Sequence, residues 1–180
     1  MIERNTDLVK EILKREKDIG LAVDMTAGNG FDSKFILDQL KPKRLIAFDI
    51  QKEAEKSTEK LLSEYENFEF ILDSHENIDK YINEKIDLVV YNLGYLPKGD
   101  KTITTQWEST ITSLEKSMDL LSAKGKIILT IYPGHPAGKK EAEELNKFLS
   151  SVDSKEFTVL ELSYKNKANN PPYICVLGRE

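Results

Sequence analysis

Apolar and polar positions along this chain fall into blocks whose period switches in a regular order. Leu8, Val9, Ile12 and Leu13 recur at helical spacing and predict a helix over 7–17. Short apolar runs at 19–24, 44–49, 68–72, 86–91 and 126–131 read as buried strands bounded by turn or charged residues. Between them, residues 33–40, 51–65, 77–82, 105–121 and 139–149 carry the helical period, and Pro42 closes the first of these helices. Two late runs, 157–164 and 173–177, are joined without a helical period and predict an antiparallel pair at one sheet edge. Alternating strands and helices imply a parallel sheet covered on both faces. The expected architecture is one α/β domain over 1–180. It is Rossmann-like, with a mostly parallel seven-stranded sheet, helices on both faces and a C-terminal antiparallel hairpin. No repeat, low-complexity segment or linker interrupts it. Loops 97–104 and 165–172 read as its mobile parts.

The most informative stretch is Ala22-Val23-Asp24-Met25-Thr26-Ala27-Gly28-Asn29-Gly30. A strand ends in a carboxylate, and two glycines follow. Gly28 and Gly30 let the backbone turn tightly and approach a ligand without a Cβ in the way. Helix resumes from Phe31. Strand, glycine turn and helix is how a doubly wound domain builds a nucleotide-type pocket.

Composition narrows the picture modestly. The 180 residues suit one domain with a single substantial core. The single cysteine, Cys175, cannot form an internal disulfide, which fits a reducing cytoplasm. The charged N-terminus lacks a signal-peptide apolar region, and no apolar run approaches the roughly 18 residues a membrane helix needs. The net charge of −5 disfavours non-specific coating of nucleic acid, though a local basic patch can still hold an RNA. No Cys or His cluster offers a metal site, so none is expected.

The glycine turn alone does not name its ligand. A dehydrogenase fingerprint wants a third glycine where this chain has Ser33. The terminal hairpin instead resembles the class I S-adenosylmethionine methyltransferases. Their first motif maps onto Asp24, Thr26, Gly28 and Gly30, with Thr26 in place of the first glycine. Their second motif, an acidic residue ending the second strand, maps onto Asp49, with Gln51 just beyond. Gly30 and Asp49 stand near the roughly 20-residue separation expected of a ribose-binding carboxylate. Such a carboxylate can accept from both hydroxyls of a diol. After the third strand, Asp73, Ser74 and His75 are candidates for the adenine side. Simpler roles stay open beside these: a turn cap for Asp24, turn and helix-start residues for Asn29 and Asp32, a helix N-terminus for His75.

On the target side, Asn92-Leu93-Gly94-Tyr95 follows the fourth strand. N-methyltransferases of exocyclic amines often carry Asn-Pro-Pro-Tyr there; this chain keeps the Asn and Tyr and departs at both prolines. An amide oxygen can accept the N–H bonds of an acceptor amine and orient it, and an aromatic face can pack over it. Positioning of that kind supplies much of a rate. His135, after the fifth strand, is a candidate proton acceptor with a reference pKa near 6.5. Tyr132 is a candidate packing surface for a base. Lys98, Lys101, Lys139 and Lys165 fall in or beside loops and are candidate phosphate contacts.

Taken in order, the segments 24–30, 73–77, 91–101 and 132–135 resemble the family described as putative rRNA methylases. Its characterised members are tRNA methyltransferases. The resemblance implies a class I methyltransferase fold and S-adenosylmethionine as cofactor. It also implies N-methylation of the aminomethyl group of wobble 5-aminomethyl-2-thiouridine. The implied partner is a tRNA anticodon arm, and a homodimer sharing the RNA surface is plausible for so small a domain. It carries Asn92 and Tyr95 as the residues orienting the amine, with His135 as the proton acceptor. Phe31 and Pro136-Ala137-Gly138 depart from the expected pattern. Competing readings are an rRNA or small-molecule amine methyltransferase, a nicotinamide-dependent oxidoreductase and a non-catalytic binding module.

Overall fold

The computed structural model describes residues 5–94 and 104–180. Seven strands form one sheet among them: β1 Leu21–Asp24, β2 Arg44–Asp49, β3 Phe68–Leu72, β4 Ile86–Asn92, β5 Leu121–Ile131, β6 Phe157–Leu162 and β7 Tyr173–Arg179. Their order is β3-β2-β1-β4-β5-β7-β6. The first five run parallel, and β7 lies antiparallel to both β5 and β6. The helices are α1 Asn5–Leu13, α2 Phe31–Phe35, α3 Lys52–Leu61, α4 Trp107–Leu120 and α5 Pro136–Ser151. The expected architecture stands: a mostly parallel sheet closed by an antiparallel hairpin.

The central strands are predominantly apolar because both faces are covered. Successive side chains point to opposite faces. Val23, Phe48, Val89, Tyr91 and Leu129 meet Leu114, Leu145 and Leu149 of α4 and α5. Ala22, Leu45, Leu88, Val90 and Ile128 meet Val9 and Leu13 of α1 together with Ile36, Leu37 and Leu62. No described helix is long and apolar enough to cross a membrane.

Several boundaries differ from the sequence reading, each for a local reason. The expected helix 33–40 is α2 followed by a π turn, Ile36–Leu40, which Lys41 ends in the left-handed region. The segment 77–82 is instead a 3₁₀ turn over His75–Lys80, capped by Ser74. β5 starts five residues early because Leu121 pairs with Ile86 before the register shifts to Leu88 opposite Lys126. Helix α5 starts three residues early, at Pro136. Proline is favoured at a first helical position, where its missing N–H costs nothing.

This order places a topological switch beside β1, whose neighbours are β2 and β4. Loops leaving β1 and β4 diverge there and open a crevice at the carboxyl ends of the strands.

The floor beneath that crevice is polar at one point. Tyr91 is fully buried, and its hydroxyl lies 2.6 Å from Ser113 Oγ and 3.1 Å from Ser117 Oγ. Tyr91→Phe strips a partner from both buried serines, so it is expected to lower unfolding stability by about 1–2 kcal/mol. Urea denaturation measures this; an unchanged midpoint would show that the network re-forms without the phenol.

Candidate active site

A cavity of about 950 Å³ opens at the carboxyl edge of the sheet. Thr26, Gly28, Asn29 and Asp32 line it from the β1 loop, and Asp49 and Gln51 from the β2 loop. Ser74 and His75 follow β3, Asn92 ends β4, and Tyr132 and His135 follow β5. The fold thus brings together most of the residues singled out in the sequence. Gly30 lies just behind the wall, and Asp24 is fully buried below it. Lys139 and Lys165 are exposed outside the lining. Tyr95, Lys98 and Lys101 lie outside the described residues.

The β1 loop is shaped by its two glycines. Gly28 and Gly30 have φ of 54° and 78°, in the left-handed region that side chains disfavour. A Cβ on Gly30 would also stand 3.0 Å from Thr58 Oγ1 and 3.2 Å from Thr58 Cα. Thr58 in turn donates to the Gly28 carbonyl at 3.1 Å, so α3 packs directly on the turn.

Hydrogen bonds then fix the loop to its neighbours. Ser33 Oγ donates to Asp24 Oδ2 at 2.6 Å, and the Thr26 N–H to Asp24 Oδ1 at 3.1 Å. Asp24 therefore holds the turn from below. Burial, with Asp32 and Asp49 nearby, pushes its carboxyl up to about 7, against the pull of the Ser33 and Thr26 bonds. Thr26, standing where the class I methyltransferase motif has its first glycine, accepts the Asn92 N–H on Oγ1 at 2.7 Å. Asn92 Nδ2 donates to Asp32 Oδ2 at 2.9 Å. That bond assigns the amide orientation and leaves Asn92 Oδ1 as an acceptor at the cavity wall.

Asp49 ends β2 as expected and accepts the N–H groups of Gly28 at 3.0 Å and Gln51 at 2.9 Å. Burial raises its pKa, opposed by those backbone bonds. Each carboxylate oxygen keeps a lone-pair site for a ligand hydroxyl. Beside it, Ile50 is 59% exposed and lines the same wall, an apolar surface suited to a base.

His75 is 8% exposed and packs edge-on against Tyr91, ring centroids 5.8 Å apart. Burial alone lowers its pKa to about 4, so it is neutral at pH 7. Its Nδ1 has no hydrogen-bond partner. An orphaned buried nitrogen costs about 1–3 kcal/mol and is the kind of atom a ligand satisfies. Asp73 lines the cavity as well, but its carboxylate already has partners. Its carboxylate binds Tyr81 Oη, Asn77 Nδ2 and the Ser74 N–H, which together hold its pKa down.

His135 caps α5: its Nδ1 accepts the Gly138 N–H at 3.1 Å. A neutral imidazole in that arrangement carries its proton on Nε2. Protonating Nδ1 would break the cap, so the geometry weighs against His135 as the proton acceptor. The departure at Gly138 has a packing reason. A Cβ there would lie 2.1 Å from the Tyr132 carbonyl and 2.8 Å from His135 Nε2.

Sequence reasoning missed three parts of the wall. Lys10 reaches it from α1, its ammonium 5.4 Å from the centroid of the Phe35 ring. Thr104 and Thr105 fold back onto Gly94, and buried Glu141 accepts from both Thr105 and Thr110 hydroxyls. Burial raises the Glu141 pKa. Asn169, Asn170, Pro171 and Pro172 complete the wall from the β6–β7 loop. Only the last carried a signal, as a Pro-rich turn after two asparagines.

An adenosyl ligand with a positive sulfonium fits these residues. Asp49 offers acceptors for a diol, Ile50 an apolar face, and His75 an unsatisfied nitrogen. Asp24, Asp32 and Asp49 make the β1 side negative, which favours a cation. Among the described residues no group of three or more His, Cys, Asp or Glu side chains could hold a metal ion.

Fold and site together define a class I S-adenosylmethionine-dependent methyltransferase. The profile of the family described as "Putative rRNA methylase" matches residues 45–178, and the chain belongs to that family. A structure described as a "putative rRNA-methylase" from Clostridium thermocellum superposes over the full length of both chains, with TM-score 0.95 and 35% identity. A "putative methyltransferase" from Streptococcus mutans, solved in complex with S-adenosylhomocysteine, superposes over the full length of both at TM-score 0.91 and 32% identity. The chloroplastic tRNA (mnm5s2U34)-methyltransferase of Arabidopsis thaliana is 30% identical over 172 residues. That alignment covers 88% of this chain and 63% of the plant protein.

Two outcomes test the site. Asp49→Ala is expected to weaken S-adenosylmethionine binding at least tenfold by calorimetry, the scale of one charge-assisted hydrogen bond or more; equal affinity would remove Asp49 from the ribose. Asp24 titrates higher folded than unfolded, so the folded chain binds the extra proton between pH 4 and 7 and loses stability as pH rises through that window. Asp24→Asn removes that loss. Its stability relative to wild type is expected to be higher at pH 8 than at pH 5 in urea titrations, and a pH-independent difference would refute the raised pKa.

Proposed function

We propose that this chain methylates RNA and that its acceptor is the aminomethyl nitrogen of wobble 5-aminomethyl-2-thiouridine in a tRNA anticodon arm. The observation that carries the reading is Asn92. Asp32 fixes its amide nitrogen and Thr26 its backbone, so Oδ1 is presented at the cavity as a rigid acceptor. A rigid acceptor suits a nucleophile that brings N–H bonds of its own. The plant relative, whose name carries this wobble position, supports the choice of substrate.

When bound, S-adenosylmethionine supplies an electrophilic methyl group on a sulfonium. Asn92 Oδ1 accepts one N–H of a neutral primary amine and turns its lone pair toward that carbon. The new N–C bond would form as the S–C bond breaks, leaving S-adenosylhomocysteine, and the methylated ammonium then gives its proton to bulk water. Asp32 and Asp49 face one positive charge throughout, first on sulfur and then on nitrogen. Tyr132, half-buried at the wall, offers a ring for the base to pack on. His135 holds the start of α5 in this scheme. Lys139 and Lys165 are exposed and stay the candidates for phosphate contacts in this reading.

Holding the nucleophile in line is worth two or more orders of magnitude in rate. Asn92→Ala is therefore expected to cut kcat on tRNA from cells lacking this gene about 100-fold, with cofactor affinity changed less than threefold. Mass spectrometry of the nucleosides reads the substrate. Methyl transfer by the wild type into rRNA or a metabolite, with the wobble aminomethyl nucleoside untouched, would overturn the assignment.

A further inference from the structure

The β6–β7 loop was read from the sequence as a mobile connection, yet it forms one end of the cavity. The register explains how it gets there. Ile131 at the end of β5 pairs with Tyr173 at the start of β7, so residues 169–172 stand beside residues 132–135 at the same sheet edge. Along that edge the loops follow the strand order: residues 73–75, 49–51, 25–32, 92–94, 132–135 and then 169–172. The cofactor candidates occupy the first three. Asn92 stands in the fourth. Asn169 and Asn170 lie furthest from the cofactor side, beyond the point where the acceptor atom meets Asn92.

The chemistry of this wall is specific. Asn169 and Asn170 both sit in the left-handed region, with φ of 64° and 45°. Two successive residues there are costly for most side chains and least so for Gly and Asn. Pro171 and Pro172 fix the chain that follows, are half-buried, and have no N–H to donate. The Asn170 carbonyl lies across the mouth, 3.9 Å from where a Cβ on Gly134 would sit. Both Asn side chains are exposed at the cavity, and neither makes a hydrogen bond within the described residues. Asn170-Pro171-Pro172-Tyr173 is also the four-residue pattern that the sequence lacks after β4, here intact on the opposite wall. A free carboxamide offers one acceptor and two donors on a planar group, which matches the alternating N–H and C=O edge of a pyrimidine imide.

We propose that Asn169 and Asn170 are substrate-reading residues, and that the Asn170 carboxamide hydrogen-bonds the imide edge of the uracil ring whose side chain carries the acceptor amine. The inference rests on the tRNA reading above and adds how the base is recognised. Asn92 positions the reacting nitrogen, and the asparagine wall holds the ring behind it.

The test uses glycine, which keeps the left-handed backbone while removing the amide. Asn169→Gly/Asn170→Gly and the single Asn170→Asp, which keeps the shape but loses the donors, are compared with wild type on tRNA from cells lacking the gene. The double variant is expected to raise KM for tRNA, lowering kcat/KM about tenfold or more. S-adenosylmethionine affinity and the melting temperature should match wild type. Asn170→Asp should show a similar loss, since one end of the imide edge is left unpaired. In parallel, the side-chain amide NMR signals of Asn169 and Asn170 should move on adding the tRNA to the S-adenosylhomocysteine complex, and not on adding S-adenosylhomocysteine alone. Wild-type kinetics in the glycine variant, with the wild type active on tRNA, would overturn this inference and leave the function standing. A wild type inactive on tRNA would remove both. Loss of cofactor affinity in the glycine variant would show a structural loop instead.

Discussion

The site depends on a short chain of hydrogen bonds that ties the β1 loop to the end of β4. The Asn92 N–H binds Thr26 Oγ1, Asn92 Nδ2 binds Asp32, and Thr26 and Ser33 both bind Asp24. These bonds cross the switch point, where adjacent loops would otherwise be free to part. They also explain the one break in the glycine pattern. A glycine at position 26 could donate its N–H to Asp24, but it could not accept the Asn92 N–H. Thr26 does both, so the loop that shapes the β1 side of the cavity also fixes Asn92 at its wall.

The same linkage concentrates negative charge. Asp24 is fully buried with no cationic partner among its bonds, and Asp32 and Asp49 raise its proton affinity further. An arrangement that only stabilised the fold would do better with neutral groups, because an unpaired buried charge is costly. Three carboxylates around one turn make sense for a site that receives a cation. The two glycines and Thr58 keep these carboxylates at fixed distances, so the field is already in place when charge moves across the cavity.

Much of this was legible in the sequence, and the limits have physical causes. The parallel core was readable because its strands are buried on both faces and so are predominantly apolar. Asp24, Asp49 and Asn92 were readable because each ends such a strand, where side chains emerge at the carboxyl edge. Pro136-Ala137-Gly138 misled in the opposite direction. Proline and glycine usually mark a loop, but here proline starts α5, and Gly138 is required by contact with the Tyr132 carbonyl. The role of His135 as a cap followed from that helix start, so it was hidden as well. The missed wall residues share a different cause. Lys10, Thr105 and Asn170 reach the cavity only through tertiary register, and no local pattern encodes register between β5 and β7.

Register also bears on why the hairpin is part of the catalytic unit and not an accessory to the sheet. β7 inserts between β5 and β6, so its first residue must stand at the edge where the parallel strands end. The loop before it is therefore delivered to the cavity, whatever the length of β6. Two prolines then make that delivery rigid, and the buried Tyr173, bonded to Asn146 of α5 at 3.1 Å, anchors it to the helix that His135 caps. The β5 loop, α5 and the β6–β7 loop consequently act as one rigid wall opposite the glycine turn. A cavity built of two such walls, joined at Asn92, can hold a cofactor against one and a flat base against the other. Under the proposed reaction, the acceptor nitrogen would lie between them, constrained from both sides by groups that do not need to move.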